Sequence, residues 1–591
     1  MRQTLDFLLF DWLRVEVLTE RERFAEHSRE TFNAVLDTCE RIAADKFAPF
    51  NRLVDTEEPR FDGERVHLPR ATYEATAAYA QSGMLAAAQD YEAGGMQLPC
   101  AVEMAGNAFF SRASVSLGAY AMLTAGNASL LMAHGTPLQR DVFARNEFAG
   151  RWFGTMCLSE PQAGSSLSDI ATRAELDDAS DALGRRYRLR GHKMWISGGE
   201  HELTENIIHL VLAKVPGPDG KLIPGTKGIS LFIVPKWLVN AEGELTGERN
   251  DVQLAGLNHK LGYRGTTNCL LNFGEGPGAV GYLVGNEGEG LRCMFHMMNE
   301  ARIGVGLGAT MLGMAGFEAS LEYAKQRPQG RTMGPAGKDA AQPQRPIIEH
   351  ADVRRMLLAQ KSYVEGGLAL ELYCARLVDE LRTGDDKTGA QALLDVLIPI
   401  AKSWPSEWCL EANSLAIQVL GGYGYTRDFP VEQYWRDNRL NMIHEGTHGI
   451  QGLDLLGRKV VQQGGASLSA LAARVQETIK RAANSPWASQ AIELGDALER
   501  VGHATRQAWS TGDAPEALAN AVPYLQAFGH TVLAWLWLDI ALALNGNNDF
   551  VKGKIAAMRY FYAYELPKID AWLAVASRRE PLLQELKPEW L

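Results

Sequence analysis

The pattern of apolar positions changes period twice along this chain. Thr19 and Glu22 have capping-box spacing, and a helical pattern runs from there to about Phe47. Helical segments continue to about residue 150 and include the Ala-rich stretches Ala75 to Ala88 and Ala101 to Ser116. From Trp152 the texture shortens to β-type runs: Tyr187 to Arg190, His209 to Lys214, Ile229 to Pro235 and Cys269 to Phe273. Gly, Pro and Asn loops such as Pro216-Gly217-Pro218-Asp219-Gly220 separate them, and this β region ends near residue 283. Helical spacing returns at Gly290 and runs over Leu291 to Arg327. It resumes from about Ile348 to Leu381 and from Ala390 to Leu420. Gly330 to Pro346, rich in Gly, Pro and Gln, reads as an exposed loop. Gly464-Gly465-Ala466-Ser467 reads as a linker to a last helical block, and no repeat at solenoid periods is present.

Two apolar runs test whether the chain meets a membrane. Leu5 to Leu13 is interrupted by Asp6 and Asp11, and its longest pure run is only Phe7 to Phe10. A signal sequence wants about 7–15 apolar residues behind a basic start, so this reads as a packing segment. Val532 to Leu538, then Asp539, then Ile540 to Leu544 falls short of the roughly 18 residues of a span and carries a charge, so it reads as a buried helix. With 591 residues the chain is too long for one core. The expected divisions are residues 1–151 (helical), 152–283 (β), 284–463 (helical) and 464–591 (an additional helical block). Hydrophobic residues at 46% and charged residues at 22% are those of an ordinary soluble protein. The net charge of −12 argues against an extended nucleic-acid footprint. Cys39, Cys100, Cys157, Cys269, Cys293, Cys374 and Cys409 include no CxxC pair, so they read as small buried hydrophobes in a reducing compartment, and no metal site is expected.

Candidate chemistry gathers in three segments. Ile443-His444-Glu445-Gly446-Thr447-His448-Gly449-Ile450-Gln451 sets one carboxylate before a Gly-Thr turn, where a side chain and a bare backbone N–H can face a ligand together. A glutamate balancing a helix start is the other local reading of Glu445. Met156-Cys157-Leu158-Ser159-Glu160-Pro161-Gln162-Ala163-Gly164-Ser165 precedes Lys193-Met194-Trp195-Ile196-Ser197-Gly198-Gly199. In a strand, residues i and i+2 share a face, which would set the Trp195 ring and the Ser197 hydroxyl side by side. Gln418-Val419-Leu420-Gly421-Gly422-Tyr423-Gly424-Tyr425 adds glycines that permit close backbone approach or simply end a helix. Gly304-Val305-Gly306-Leu307-Gly308-Ala309 looks like a dinucleotide fingerprint, but helix rather than strand precedes it. Its glycines read as helix-packing positions.

In this order the three segments resemble the acyl-CoA dehydrogenases, flavoenzymes that put a double bond between Cα and Cβ of an acyl-CoA thioester. The resemblance covers roughly residues 30–460. The chain's length and its His-Glu-Gly-Thr-His-Gly-Ile-Gln wording are similar to the long bacterial branch that includes fatty acyl-CoA and 3-methylmercaptopropionyl-CoA dehydrogenases. The resemblance implies a mainly α fold with a central β-barrel-like domain, between an N-terminal helical domain and a C-terminal four-helix domain. An added helical domain follows, and FAD would sit between the β domain and the second helical domain. It makes Glu445 the base that takes the α-proton. In some relatives the base lies instead in the segment matching Asn299-Glu300-Ala301-Arg302, where this chain has Ala301 at the matching position. Glu300 beside it should point elsewhere on a helix.

By the same resemblance, Met156, Leu158, Ser159, Trp195 and Ser197 line the flavin, with Thr447 near it. Arg327 and Gln418, Gly421 and Gly422 reach the FAD of a partner subunit. Ser165, Lys227, Asn299, Arg302 and Arg458 are candidate CoA contacts. Gln162 and Ser166 depart from the family's usual Gly and Asp, and Arg327-Pro328-Gln329-Gly330-Arg331 departs from its commoner Arg-x-Thr-Phe-Gly. The thioester carbonyl would be polarised by the Glu445 backbone N–H and the flavin ribityl hydroxyl. The implied protein is a cytoplasmic bacterial homodimer of β-oxidation that passes electrons to electron-transfer flavoprotein. An acyl-CoA oxidase using O₂ is the near alternative, and a flavin-containing nucleic-acid-binding paralogue the distant one. Chain length is not legible, since pocket depth is set by helices around residues 101–130 and 291–310.

Overall fold

The computed structural model describes every residue except Thr332. The chain divides into two compact units: His27–Leu98 with Phe109–Ala301, and Met1–Glu26 with Pro99–Ala108 and Arg302–Leu591.

The first unit is built on an eight-stranded sheet. Its helix α1, Val115–His134, precedes β1 (Trp152–Cys157), β2 (Arg173–Leu176), β3 (Arg186–Ser197), β4 (Asn206–Lys214), β5 (Ile229–Pro235), β6 (Val252–Leu257), β7 (Asn268–Phe273) and β8 (Ala279–Val284). The strand order is β6-β7-β3-β8-β5-β4-β1, with β2 on β3 and β4. Pairing is antiparallel except that β1 runs parallel to β4, and β2 touches β4 in parallel at Arg173. Sequence reading finds β3, β4, β5 and β7, although β3 is longer than Tyr187 to Arg190 suggests. The strands β4, β5 and β8 are buried at every position, whereas β7 alternates, as strands covered on both faces and on one face should. The helix α1 is tied to the sheet by Asn127, whose amide donates to the carbonyls of Thr155 (3.0 Å) and Ile208 (2.8 Å). Gly154 makes room for it: a Cβ there would lie 2.6 Å from the Asn127 Cβ.

The second unit is helical. Its long elements are α2 (Gly290–Gln326, of which residues to Ala301 belong to the first unit), α3 (Ala351–Thr383), α4 (Lys387–Leu420) and α5 (Ala521–Ala543). The helix α4 continues through Pro399 and Pro405, although an interior proline costs about 3 kcal/mol. Nearly every residue around both prolines is buried, so packing outweighs the lost hydrogen bonds. The glycines at 304–308 lie inside α2, as close-packing positions. At Gly306 a Cβ would meet the Ala401 carbonyl at 2.2 Å and the Glu371 carboxyl at 2.3 Å.

The C-terminal block packs onto the α3–α4 pair. Trp537 Nε1 donates to the Ser362 carbonyl at 3.2 Å, Trp404 Nε1 to His530 Nδ1 at 3.1 Å and Trp408 Nε1 to Gln526 Oε1 at 2.8 Å. A buried tryptophan removes roughly 200 Å² from water, worth about 5 kcal/mol before entropy. These indoles anchor the seam without leaving an N–H unpaired.

Two expectations are corrected, and the run around Val532 is a buried helix as expected, though a longer one. The Thr19 hydroxyl donates to the Glu16 carbonyl, and the helix expected from Thr19 is not capped there. Its capping box is Ser28 with Thr31, and the helix runs Arg29–Ile42 after two 3₁₀ turns. The expected linker collapses to Gly464 and Gly465, both left-handed, because a helix starts at Ala466. The run around Val532 belongs to a helix of 23 residues, long and apolar enough to span a bilayer, yet 89% of its apolar window is buried inside the protein. The helix α1 passes the same test with 61% buried. The Gly330 to Pro346 insertion is largely exposed, with a short hairpin pairing Met333–Gly334 with Gly337–Lys338.

Gly529 of α5 lies against Trp404, and an added Cβ would sit 2.6 Å from the Trp404 Cδ1. Gly529→Ala should therefore lower stability by about 1–3 kcal/mol, read as a lower denaturant midpoint. An unchanged midpoint would show the seam to be looser than described.

Candidate active site

Glu445 stands in a tight turn between the 3₁₀ segment Arg439–Met442 and the short helix His448–Asp454. Its φ is +52°. A non-glycine residue there costs on the order of 1–3 kcal/mol and persists only where the surroundings over-determine it. They do so here. The Gln451 side-chain amide donates to the Glu445 carbonyl at 3.1 Å, and Lys402 Nζ donates to the Gly446 carbonyl. Thr447 caps the following helix by accepting from the Ile450 N–H at 3.2 Å. Gly446 has φ +92°, and a Cβ there would meet the Gln451 amide at 2.5 Å.

Upstream, a chain of buried amides fixes the other side of the turn. Asn413 donates to the Leu312 carbonyl at 2.9 Å. Asn438 donates to the Ala309 carbonyl at 3.0 Å and to Asn413 Oδ1 at 2.7 Å. Asn441 donates to Asn438 Oδ1, and His444 Nε2 to Asn441 Oδ1, both at 3.0 Å. The three asparagines are fully buried. The residue just before the base is thereby tied to the backbone of α2.

Two cations face the Glu445 carboxylate. Burial raises its pKa, and the charges of Arg302 and Lys402 draw it back down only in part. Lys402, wholly buried on α4, has its own pKa lowered by burial to about 7, against the pull of Glu445. Arg302, a candidate CoA contact, lies on α2. Its side chain is only 7% exposed, 3.9 Å from Asp454 and electrostatically coupled to Glu445. It thus lies near two carboxylates of its own unit. Arg458 is half exposed and pairs with Asp454 at 2.6 Å. Glu300 is exposed and 3.7 Å from His296. Sequence reading missed Lys402, Gln451 and the asparagine chain. The available signal was a lysine inside the apolar run Leu397-Ile398-Pro399-Ile400-Ala401-Lys402.

The first unit gathers most of its own candidates. Lys193 Nζ, fully buried, donates to the Leu158 carbonyl and to Glu160, both at 2.9 Å, and the Met194 N–H donates to the Ser159 carbonyl at 3.0 Å. The segment Met156–Ser159 is thus fastened to the strand that carries Trp195 and Ser197. Glu160 also accepts from the N–H groups of Ala171 (2.7 Å) and Thr172 (3.0 Å). Burial pushes its pKa up, but Lys193 and these donors outweigh that and hold it at about 2. The simple i, i+2 argument for Trp195 and Ser197 fails, because β3 bulges: Lys193 pairs with Leu271 and Ile196 with Cys269, so two residues oppose one. Trp195 sits in the bulge at φ +66° and is 59% exposed. Ser197 Oγ accepts from Asn268 at 3.3 Å. Ser165 and Lys227 are exposed on loops, and Asn299 is half-buried on α2.

In the second unit, Arg327 lies over the Tyr423 ring, 5.7 Å from its centre. Gln418, Gly421 and Gly422 are exposed at the end of α4. Gly421 has φ +60°, and neither glycine has any atom within 4 Å of an added Cβ. Bare backbone faces open space there.

Residues 155–275 match the family described as acyl-CoA dehydrogenase, middle domain. Residues 288–460 match acyl-CoA dehydrogenase, C-terminal domain, and residues 471–586 match acetyl-CoA dehydrogenase C-terminal like. The chain is 35% identical to 3-methylmercaptopropionyl-CoA dehydrogenase of Ruegeria pomeroyi over 95% of this chain and 94% of that protein. Its fold is similar to Caenorhabditis elegans ACDH-11 in complex with C11-CoA (TM-score 0.75, 19% identity, 99% of this chain and 94% of that one). It is also similar to an acyl-CoA dehydrogenase complexed with FAD from Bacillus anthracis (TM-score 0.74, 19% identity, 96% and 92%).

Two variants test the scaffolding. Glu160→Gln leaves Lys193 buried without a countercharge and should cost roughly 3–5 kcal/mol in chemical denaturation; a cost under about 1 kcal/mol would deny the clamp its role. Asn438→Ala opens the amide chain and orphans several buried groups at about 1–3 kcal/mol each. Its unfolding midpoint should fall, and the helix carrying Asn441 should gain amide exchange.

Proposed function

The chain belongs to the acyl-CoA dehydrogenase family, and on that premise we propose that it is an FAD-dependent dehydrogenase of fatty acyl-CoA thioesters. It would introduce the trans-2,3 double bond and pass electrons to electron-transfer flavoprotein. One observation carries this reading. A carboxylate is held in a strained left-handed turn, raised in pKa by burial yet kept near two buried cations, Arg302 and Lys402. That arrangement suits a base that must be ionised at neutral pH and strong enough to take a thioester α-proton.

The residues present fit a flavin. Trp195 offers an exposed ring beside the Ser159 segment and the Ser197 hydroxyl, and the open backbone at Gly421 and Gly422 with the Arg327 guanidinium suits a pyrophosphate. Met156, Leu158, Ser159, Trp195, Ser197 and Thr447 would hold the isoalloxazine end. Arg327, Gln418, Gly421 and Gly422 would hold the other end in a second copy of the chain. Bound FAD supplies the hydride acceptor for the β-hydrogen. Glu445 takes the α-proton on its carboxylate, and its backbone N–H orients and polarises the thioester carbonyl. Ser165, Lys227, Asn299, Arg302 and Arg458 remain the candidates for CoA contact. The assembly would be a homodimer, because the C-terminal block already covers the α3–α4 pair through Trp537, Trp404 and Trp408.

The Ruegeria relative favours a second substrate, 3-methylmercaptopropionyl-CoA, for the same chemistry. A panel of C4 to C18 acyl-CoAs with that thioester, read by flavin bleaching, decides between them. Turnover with and without O₂ separates dehydrogenase from oxidase.

Glu445→Gln should retain FAD and acyl-CoA binding while turnover falls at least about 10²–10⁴-fold. More than about a tenth of wild-type kcat would move the base elsewhere. Because Glu445 must be ionised and its pKa is raised, activity should fall as pH drops while still above the range of an ordinary exposed carboxylate. Cofactor released by denaturation should be FAD; FMN would overturn the assignment. Light scattering should give twice the chain mass, and a stable tetramer would refute the covering role of the C-terminal block.

A further inference from the structure

Lys402 is the one charged side chain in the stretch from Leu397 to Trp404, and that whole stretch is buried. A lysine buried there is costly unless something uses it. Its ammonium reaches the Gly446 carbonyl, one residue after Glu445. The charged groups around it come from every neighbouring element. Glu445 lies on the turn and Arg302 on α2, and Asp454 with Arg458 stands behind Arg302. On α3 the carboxyl of Glu371 faces the same point as the Ala401 carbonyl, and burial pushes its pKa well up.

Arg302 lies 3.9 Å from Asp454, which Arg458 also engages. Lys402 has Glu445 as its attracting charge. The two cations therefore do different work. Arg302 joins the turn to the helix that follows it, whereas Lys402 joins the turn to α4. The Lys402 contact falls on the peptide next to the residue at φ +52°, where backbone strain is stored.

We propose that Lys402 is a positioning residue of this site: it holds the left-handed Glu445–Gly446 turn by its bond to the Gly446 carbonyl, and its ammonium charge favours the ionised form of the Glu445 carboxylate. This rests on Glu445 being the base. Lys402 touches neither substrate nor cofactor in this role. Its removal should change the protonation of the base and the rate, and leave substrate affinity alone.

Two variants separate charge from contact. Lys402→Gln keeps a donor for the Gly446 carbonyl and loses the charge; Lys402→Met loses both. Protein labelled with ¹³C-carboxyl glutamate is titrated by infrared difference spectroscopy, with Glu445→Gln subtracted to isolate Glu445. The midpoint for Glu445 should rise by about one pH unit or more in Lys402→Gln. The acid limb of kcat should move with it, while KM for acyl-CoA stays within about twofold. A folded Lys402→Gln protein whose Glu445 midpoint does not move overturns the charge role, whatever its stability. Lys402→Met should lose further turnover beyond Lys402→Gln, and equal losses overturn the turn-holding role. If the wild-type protein oxidises no acyl-CoA, the functional reading fails, but the infrared titration still decides the coupling of Lys402 to Glu445.

Discussion

A half-buried carboxylate set among fixed positive charges is the interaction on which this site depends. Buried alone, Glu445 would stay protonated and could accept nothing. Paired too tightly, it would lose its basicity. The two cations arrive from helices distant in sequence, α2 and α4, and Asp454 occupies one of them. The balance leaves the carboxyl raised but attended. The left-handed backbone at Glu445 fixes where that carboxyl sits, and Gln451, Lys402 and the Asn413–Asn438–Asn441–His444 chain bear the cost of that conformation.

The other unit solves a similar problem with the signs reversed. Lys193 is a buried cation, Glu160 its countercharge, and backbone donors complete the shell. The consequence is structural: the Leu158–Glu160 segment is pinned to β3 where that strand bulges. The bulge turns the Trp195 ring outward onto an exposed surface. A ring in that state is poor for stability and useful for stacking, so a flat aromatic ligand is the economical account of it.

The C-terminal block belongs to the packing of the helical unit. Tryptophans cross the seam in both directions, and glycines at 366 and 529 receive them. The helix α5 is apolar on all sides because helices surround it.

Much of this was legible in the residues alone. The periods located the strands β3, β4, β5 and β7 and the helices α2 to α4, because burial of one face imposes alternation and helical spacing directly on sequence. The three motifs named the family, and the Gly304–Gly308 decoy was rejected on its helical context. What the sequence left open depended on partners far away in the chain. Thr19 has the capping spacing, but Ser28 has the geometry. Trp195 and Ser197 have strand spacing, but a bulge breaks the alternation. Arg302 carries a charge suited to a phosphate, and only folding shows that it also lies near Asp454 and within the field of Glu445. Lys402 is one lysine among many until α4 carries it under the base. Local pattern fixes which face of an element is apolar; it does not fix which polar groups meet once those faces are buried, and the chemistry of a buried charge is set by what it meets.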